Sequence, residues 1–211
     1  MASRGVPRAR HMGCAATYGG GLSWKSRSSR LDLLLKDVRL VLELFEAELA
    51  RFDWRSMACG CGGTAGHLPG SLRSLASAAT ADEASTSDIE DHITGPSILQ
   101  VPAPAVIPVS FAALQCGLSL PAHQAFLWLI LLTAEPAGET ADPQAWGRDL
   151  NDECRTAALE GRWYLYGQLL HQPDPVAATT AYRILRAVET TSRAEQLKAL
   201  IGDRLLPPFR G

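Results

Sequence analysis

Leu120 to Ala134, reading L-P-A-H-Q-A-F-L-W-L-I-L-L-T-A, most limits what this chain can fold into. From Ala125 to Leu132 it has no polar residue, so a helix built from it is apolar all round and needs neighbours on every side. A membrane span takes about 20 such residues. Pro121, His123, Glu135 and Pro136 bracket a shorter run, which predicts a core helix.

The elements that cover it have readable starts. Asp142-Pro143 and Asp174-Pro175 each put a carboxylate at a cap and a proline at the first helical position. The first start predicts a helix to about His171, with Trp146, Leu150, Cys154, Leu165 and Leu169 on its apolar side. Gly161 bends or divides it, and Asn151-Asp152-Glu153 offers an alternative start. The second predicts a stripe of Ala181, Ile184, Leu185 and Val188. Leu197, Leu200 and Ile201 fall on the opposite side at helical spacing, so the chain breaks between the two groups. Ser192 and Glu195 read as a capping box, giving a last helix from near Arg193 to Gly202. With a short helical turn at Phe111 to Cys116, these make an α-helical bundle over 110–211. Leu205, Leu206 and Phe209 form an apolar tail that docks on the bundle or reaches a partner.

A second helical signal lies at 31–55. Leu31, Leu35, Val38, Leu42, Phe45, Leu49 and Phe52 alternate by four and three, the spacing of a coiled-coil seam. Leu33, Leu40 and Leu44 add a second strip, which suits packing on the chain's own domain; self-association stays open. Residues 1–30 are rich in Gly, Ser and Arg without an apolar period and read as a disordered basic tail. Residues 56–109 read as a flexible linker, opened by glycines, filled with Ala, Ser and Thr, and stiffened by Pro102, Pro104 and Pro108. Only Ser71 to Ala79 suggests a short helix there. The predicted class is mainly α: a C-terminal bundle, one amphipathic heptad helix, and a disordered tail and linker.

Net charge of −2 gives no global attraction to nucleic acid or anionic lipid. Five scattered cysteines (Cys14, Cys59, Cys61, Cys116, Cys154) without a hydrophobic leader indicate reduced thiols and a cytoplasmic or nuclear location. The basic tail keeps organellar targeting open.

The motifs argue mostly by exclusion. H-E-x-x-H, G-x-S-x-G and G-x-G-x-x-G are absent, and Gly19 to Ser26 fails as a phosphate loop because Trp24 stands where the second glycine belongs. Cys59, Cys61 and His67 are zinc-type donors, with Cys14, Cys116 or His92 as conceivable fourth ligands. The spacing is not that of paired C-x-x-C motifs, so the reading is a pair of exposed thiols, no metal and no cofactor. Asp88, Glu90, Asp91 and His92 read as a solvated acidic patch. Trp163, Tyr164 and Tyr166 form the best binding candidate, against a structural reading in the core: Trp163 and Tyr166 share a helix face and Tyr164 points away, so not all three are core.

These readings converge on a non-enzymatic helical interaction or regulatory protein. Its expected partner is another protein, or a second copy held through the heptad helix; nucleic acid is not favoured and no membrane is expected. The alternative is a divergent helix-turn-helix regulator, with a first helix at Pro143 to Leu150 and a recognition helix from Cys154. An enzyme with a dispersed site stays open as a third reading.

Overall fold

Ser119 starts the central helix by accepting a bond from the Ala122 amide at 3.3 Å, and Pro121 occupies the first turn, where its missing amide costs nothing. The helix, α5, spans Leu120–Ala134 and ends where Glu135 turns extended. A computed structural model describes residues 42–95, 98–135, 147–171 and 173–209, all within one unit, Asp37–Gly211. Among them the chain is mainly helical, and no helix is long and apolar enough to cross a membrane.

Phe126, Leu127, Leu129, Ile130 and Leu131 of α5 are fully buried, but Trp128 is 38% exposed and Leu120 54%, so the expected cover on every side is complete on all but one face. Helices α4 (Ala103–Leu114) and α8 (Pro175–Val188) pack most extensively along it, with α6 (Leu150–Glu160) and α2 (Leu68–Ala76) beside them. The helix at residues 42–50, α1, adds Phe45, whose ring meets Phe126 edge-on at 6.4 Å. Cover thus comes from both halves of the chain, and the core is one cluster.

The described residues of the expected linker at 56–109 are instead folded. Leu68, Leu72 and Leu75 recur at helical spacing on α2 and are buried, as are Ile89 and Ile93 on α3 (Ser87–Ile93). A two-residue hairpin, β1 (Thr94–Gly95) with β2 (Ile98–Leu99), pairs Thr94 with Leu99 and Gly95 with Ile98. The prolines do not keep the chain extended either. Pro102 caps α4 and Pro104 lies in its first turn, where neither costs a bond. Pro108 removes one interior bond, offset by burial of Val106, Ile107, Val109, Ala112 and Ala113. Ala103, Ala105, Ala112 and Ala113 of α4 are buried in the core, so alanine here does not mark looseness.

The described C-terminal starts follow the sequence with one shift. Asp174 caps α8 by accepting from the Val176 and Ala177 amides, both at 3.1 Å. Asp142-Pro143 lies outside the described residues, and α6 begins at Leu150, capped by Asp149 through the Asp152 amide at 3.0 Å. Gly161 separates α6 from α7 (Arg162–His171). The break after Val188 is present, but α9 (Thr191–Ile201) is capped by Thr190 through the Arg193 amide at 3.3 Å, not by Ser192. Thr190 has the extended backbone a cap needs, so the helix starts before the expected box and Glu195 falls out of position. The apolar tail docks: Leu205 is buried, and Phe209 meets Tyr182 edge-on at 5.7 Å.

Gly161 is needed for close approach, since a Cβ there would lie 2.2–2.5 Å from the Phe111 ring. Gly161→Ala is expected to cost about 1–2 kcal/mol in urea denaturation through overpacking. An unchanged midpoint would mean that the half-buried ring swings clear without penalty.

Candidate functional site

Two places stand out: one at the end of α3 and one on the outer face of α7. At the first, Cys59, Cys61, His67 and His92 each bring one donor atom to a cluster in which all four lie within 4.8 Å of one another. Cys59 Sγ is 3.1 Å from His92 Nδ1 and 3.9 Å from His67 Nε2, and the two imidazole centroids are 4.2 Å apart. Cys59 is buried, whereas Cys61 and His67 are exposed and His92 is half-buried.

Local backbone chemistry builds this cluster. Residues 59–63 form a tight turn, with the Gly62 amide donating to Cys59 O at 2.9 Å and the Cys59 amide to Gly63 O at 3.0 Å. Gly62 sits at φ +79°, a left-handed conformation that glycine adopts without steric cost. An isolated bridge between Ala58 and Thr64 closes the turn's base. His67 follows in a 3-10 turn, Ala65–His67, with Nδ1 3.1 Å from Thr64 O. A carbonyl only accepts, so Nδ1 carries the proton and the Nε2 lone pair faces Cys59. His92 arrives from the last turn of α3, and the Gly60 amide donates to His92 O at 3.4 Å. Burial pushes the Cys59 thiol above its ordinary value, against the opposing pull of the Cys61 and Gly60 amides. The Gly63 amide holds the exposed Cys61 below its own.

The expected pair of exposed thiols is therefore corrected at Cys59, and the fourth donor kept open in the sequence is supplied by His92. Cys14 lies outside the described residues. Cys154 is buried elsewhere, its thiol pushed up to about 12 by desolvation. The acidic patch around His92 is not wholly solvated: Glu90 accepts from the Trp128 indole of α5 at 2.8 Å and from the Thr86 hydroxyl. These bonds fasten α3, and His92 with it, to the central helix.

On α7, Trp163, Tyr166 and Leu170 follow one face at spacings of three and four. Trp163 is 70% exposed and Leu170 57%. Tyr166 meets Trp163 edge-on at 5.5 Å, Arg162 stacks over Trp163 at 5.6 Å and Arg193 over Tyr166 at 5.6 Å. The Tyr166 hydroxyl donates to Glu189 Oε1 at 2.5 Å. Tyr164 points the other way, as expected, and is structural. Its ring packs on Phe111 at 6.1 Å, its hydroxyl lies 3.0 Å from His123 Nε2 and 3.3 Å from Leu114 O, and burial raises its pKa to about 12.

His123 is held below its ordinary pKa by desolvation, against the pull of the Asp174 carboxylate, and its buried Nδ1 has no hydrogen-bond partner. The fold thus prefers the neutral ring. Below the unfolded value, near 6.5, the unfolded chain binds the proton more readily, so stability contributed by His123 is lost as pH falls from there through the lower folded value. His123→Gln is expected to flatten the fall of urea midpoint below neutral pH; an unchanged slope would assign that fall to other groups.

Among the heptad residues, Leu31, Leu35 and Val38 lie outside the described residues. Phe45 and Leu49 are buried in the core, Phe52 packs against it edge-on to Trp54, and Leu42 is 51% exposed. The described seam therefore packs on its own domain. For the helix-turn-helix reading, Cys154 lies inside α6 and does not open a recognition helix, and Gly161 is the one residue between α6 and α7. Comparison with protein-family models, curated proteins and solved structures finds no match to this chain.

Proposed function

We propose that this chain is a non-catalytic helical interaction protein that engages another protein chain through the outer face of α7. The observation that carries this reading is the contiguous stripe of Trp163, Tyr166 and Leu170, with an indole 70% exposed at its head. A single exposed apolar residue is ordinary, whereas a large aromatic continued along a helix face by a second aromatic and a leucine supports a docking role. The heptad seam is less available, because Phe45 and Leu49 are committed to the core.

A second copy of the chain is the occupant proposed. Arg162, Arg193 and Glu189 bring both charge signs to the margin of the stripe, which a two-fold contact pairs across itself. Sedimentation velocity over a concentration series tests this. The wild type is expected to dimerise, and Trp163→Ala to weaken the dimer by about 2 kcal/mol, roughly thirtyfold, with an unchanged circular dichroism spectrum. A wild type that stays monomeric throughout contradicts self-association.

A further inference from the structure

The Cys59, Cys61, His67 and His92 cluster calls for something at its centre. Two sulfurs and two imidazole nitrogens converge from a turn, a 3-10 segment and a helix end, with all four donor atoms within 4.8 Å of one another. The bond from His67 Nδ1 to Thr64 O leaves the Nε2 lone pair aimed at Cys59 Sγ, 3.9 Å away, where a thiol is only a weak donor at long range and an ion held by the thiolate would take the lone pair. Fixing a ligand histidine's tautomer through a carbonyl on its other nitrogen is a recurrent feature of metal sites.

We propose that Cys59 Sγ, Cys61 Sγ, His67 Nε2 and His92 Nδ1 hold one zinc ion in a closed tetrahedral site. The donor set selects the metal: two thiolates and two imidazoles suit zinc, while magnesium and calcium require oxygen ligands. Zinc bonds of about 2.3 Å to sulfur and 2.0–2.1 Å to nitrogen place tetrahedral sulfur and nitrogen neighbours roughly 3.6 Å apart. The two sulfur–nitrogen separations at Cys59, 3.1 and 3.9 Å, straddle that value. Any thiol proton still present leaves as the thiolate binds. With all four positions filled by protein, no site remains for a substrate or an activated water, so the ion is structural.

The surrounding fold gives the ion its task. The described residues of 56–101 hold a nine-residue helix, a seven-residue helix and a pair of two-residue strands, elements too short to stand alone. Zinc ties the 59–67 segment to the end of α3, which Glu90 and Trp128 in turn fasten to α5. Gly60 marks how tightly the parts are drawn together, since a Cβ there would lie 2.5 Å from Asp91 O, a backbone atom. The site is independent of the α7 surface and stands if that surface binds nothing.

Cobalt titration of the reduced, chelator-treated full chain tests the site, followed by displacement with zinc. One equivalent of cobalt is expected to give the strong visible bands of a tetrahedral ion and a thiolate charge-transfer band, both abolished by one equivalent of zinc. Cys61→Ser and His67→Ala change exposed side chains and keep the helical circular dichroism spectrum. Each is expected to weaken zinc binding on the order of a hundredfold or more, beyond the usual cost of losing an outer-shell partner. Cys116→Ser binds as the wild type does. Weak octahedral cobalt bands, zinc well below one equivalent, or wild-type affinity in both exposed-ligand variants would overturn the assignment.

Discussion

Leu129→Asp is expected to unfold the described helices together, at a cost above about 4 kcal/mol, the range reached by burying an unpaired charge. Leu129 is fully buried near the middle of α5, the helix against which α2, α4, α6 and α8 pack. The sequence alone predicts loss of the C-terminal half; the structure extends that loss to α2 and α4, which share the same core. Far-UV circular dichroism and a urea titration on the full chain check it. A variant that keeps a cooperative transition with α2 and α4 folded would show that α5 does not organise both halves.

Gly60→Ala is the second large effect. The added methyl would lie 2.5 Å from the carbonyl oxygen of Asp91, and neither backbone has a rotamer by which to yield. The turn must then move away from α3, taking Cys59 and Cys61 from His92. Overpacking of this kind costs about 1–3 kcal/mol. Zinc affinity is expected to fall at least about tenfold, the lower end for disturbing a metal site's supporting shell. Calorimetric zinc titration with a melt of the same sample measures both. Wild-type affinity with wild-type stability would mean that α3 retreats freely, against the close docking described here.

How much of this was legible differs by element. The run at Leu120 to Ala134 declares itself because its composition admits one solution, and Asp174-Pro175 because a cap acts locally. Residues 56–109 misled by composition: Gly, Ala and Pro are the currency of linkers and equally of close-packed helices, and only burial of Leu68, Ile93 and Val106 separates the two. The heptad at 31–55 was ambiguous for a related reason. The same four-three spacing fits a partner helix or the chain's own core, and Phe126, remote in sequence, takes the place of a partner beside Phe45.

The site was half visible. Cys59, Cys61 and His67 stand close together in the sequence as zinc-type donors, whereas His92 is one of three conceivable fourth ligands, beside Cys14 and Cys116, and also reads as a member of an acidic run. No local pattern reveals that α2 and α3 fold back to bring its ring 3.1 Å from Cys59. On α7 the opposite held, because helical period alone separates the Trp163 and Tyr166 face from Tyr164. The partners of Tyr164, His123 and Leu114, come from distant segments that the period does not reveal.

Hydrogen–deuterium exchange on the full chain, resolved by peptide, tests most directly the claim that residues 56–109 belong to one core around α5. Amides of α4 and the last turn of α3 are expected to exchange as slowly as those of α5 and α8, within one cooperative unit. Exchange of 56–109 at coil rates beside a protected α5 and α8 would contradict the account, restoring the linker and leaving the zinc site without a frame.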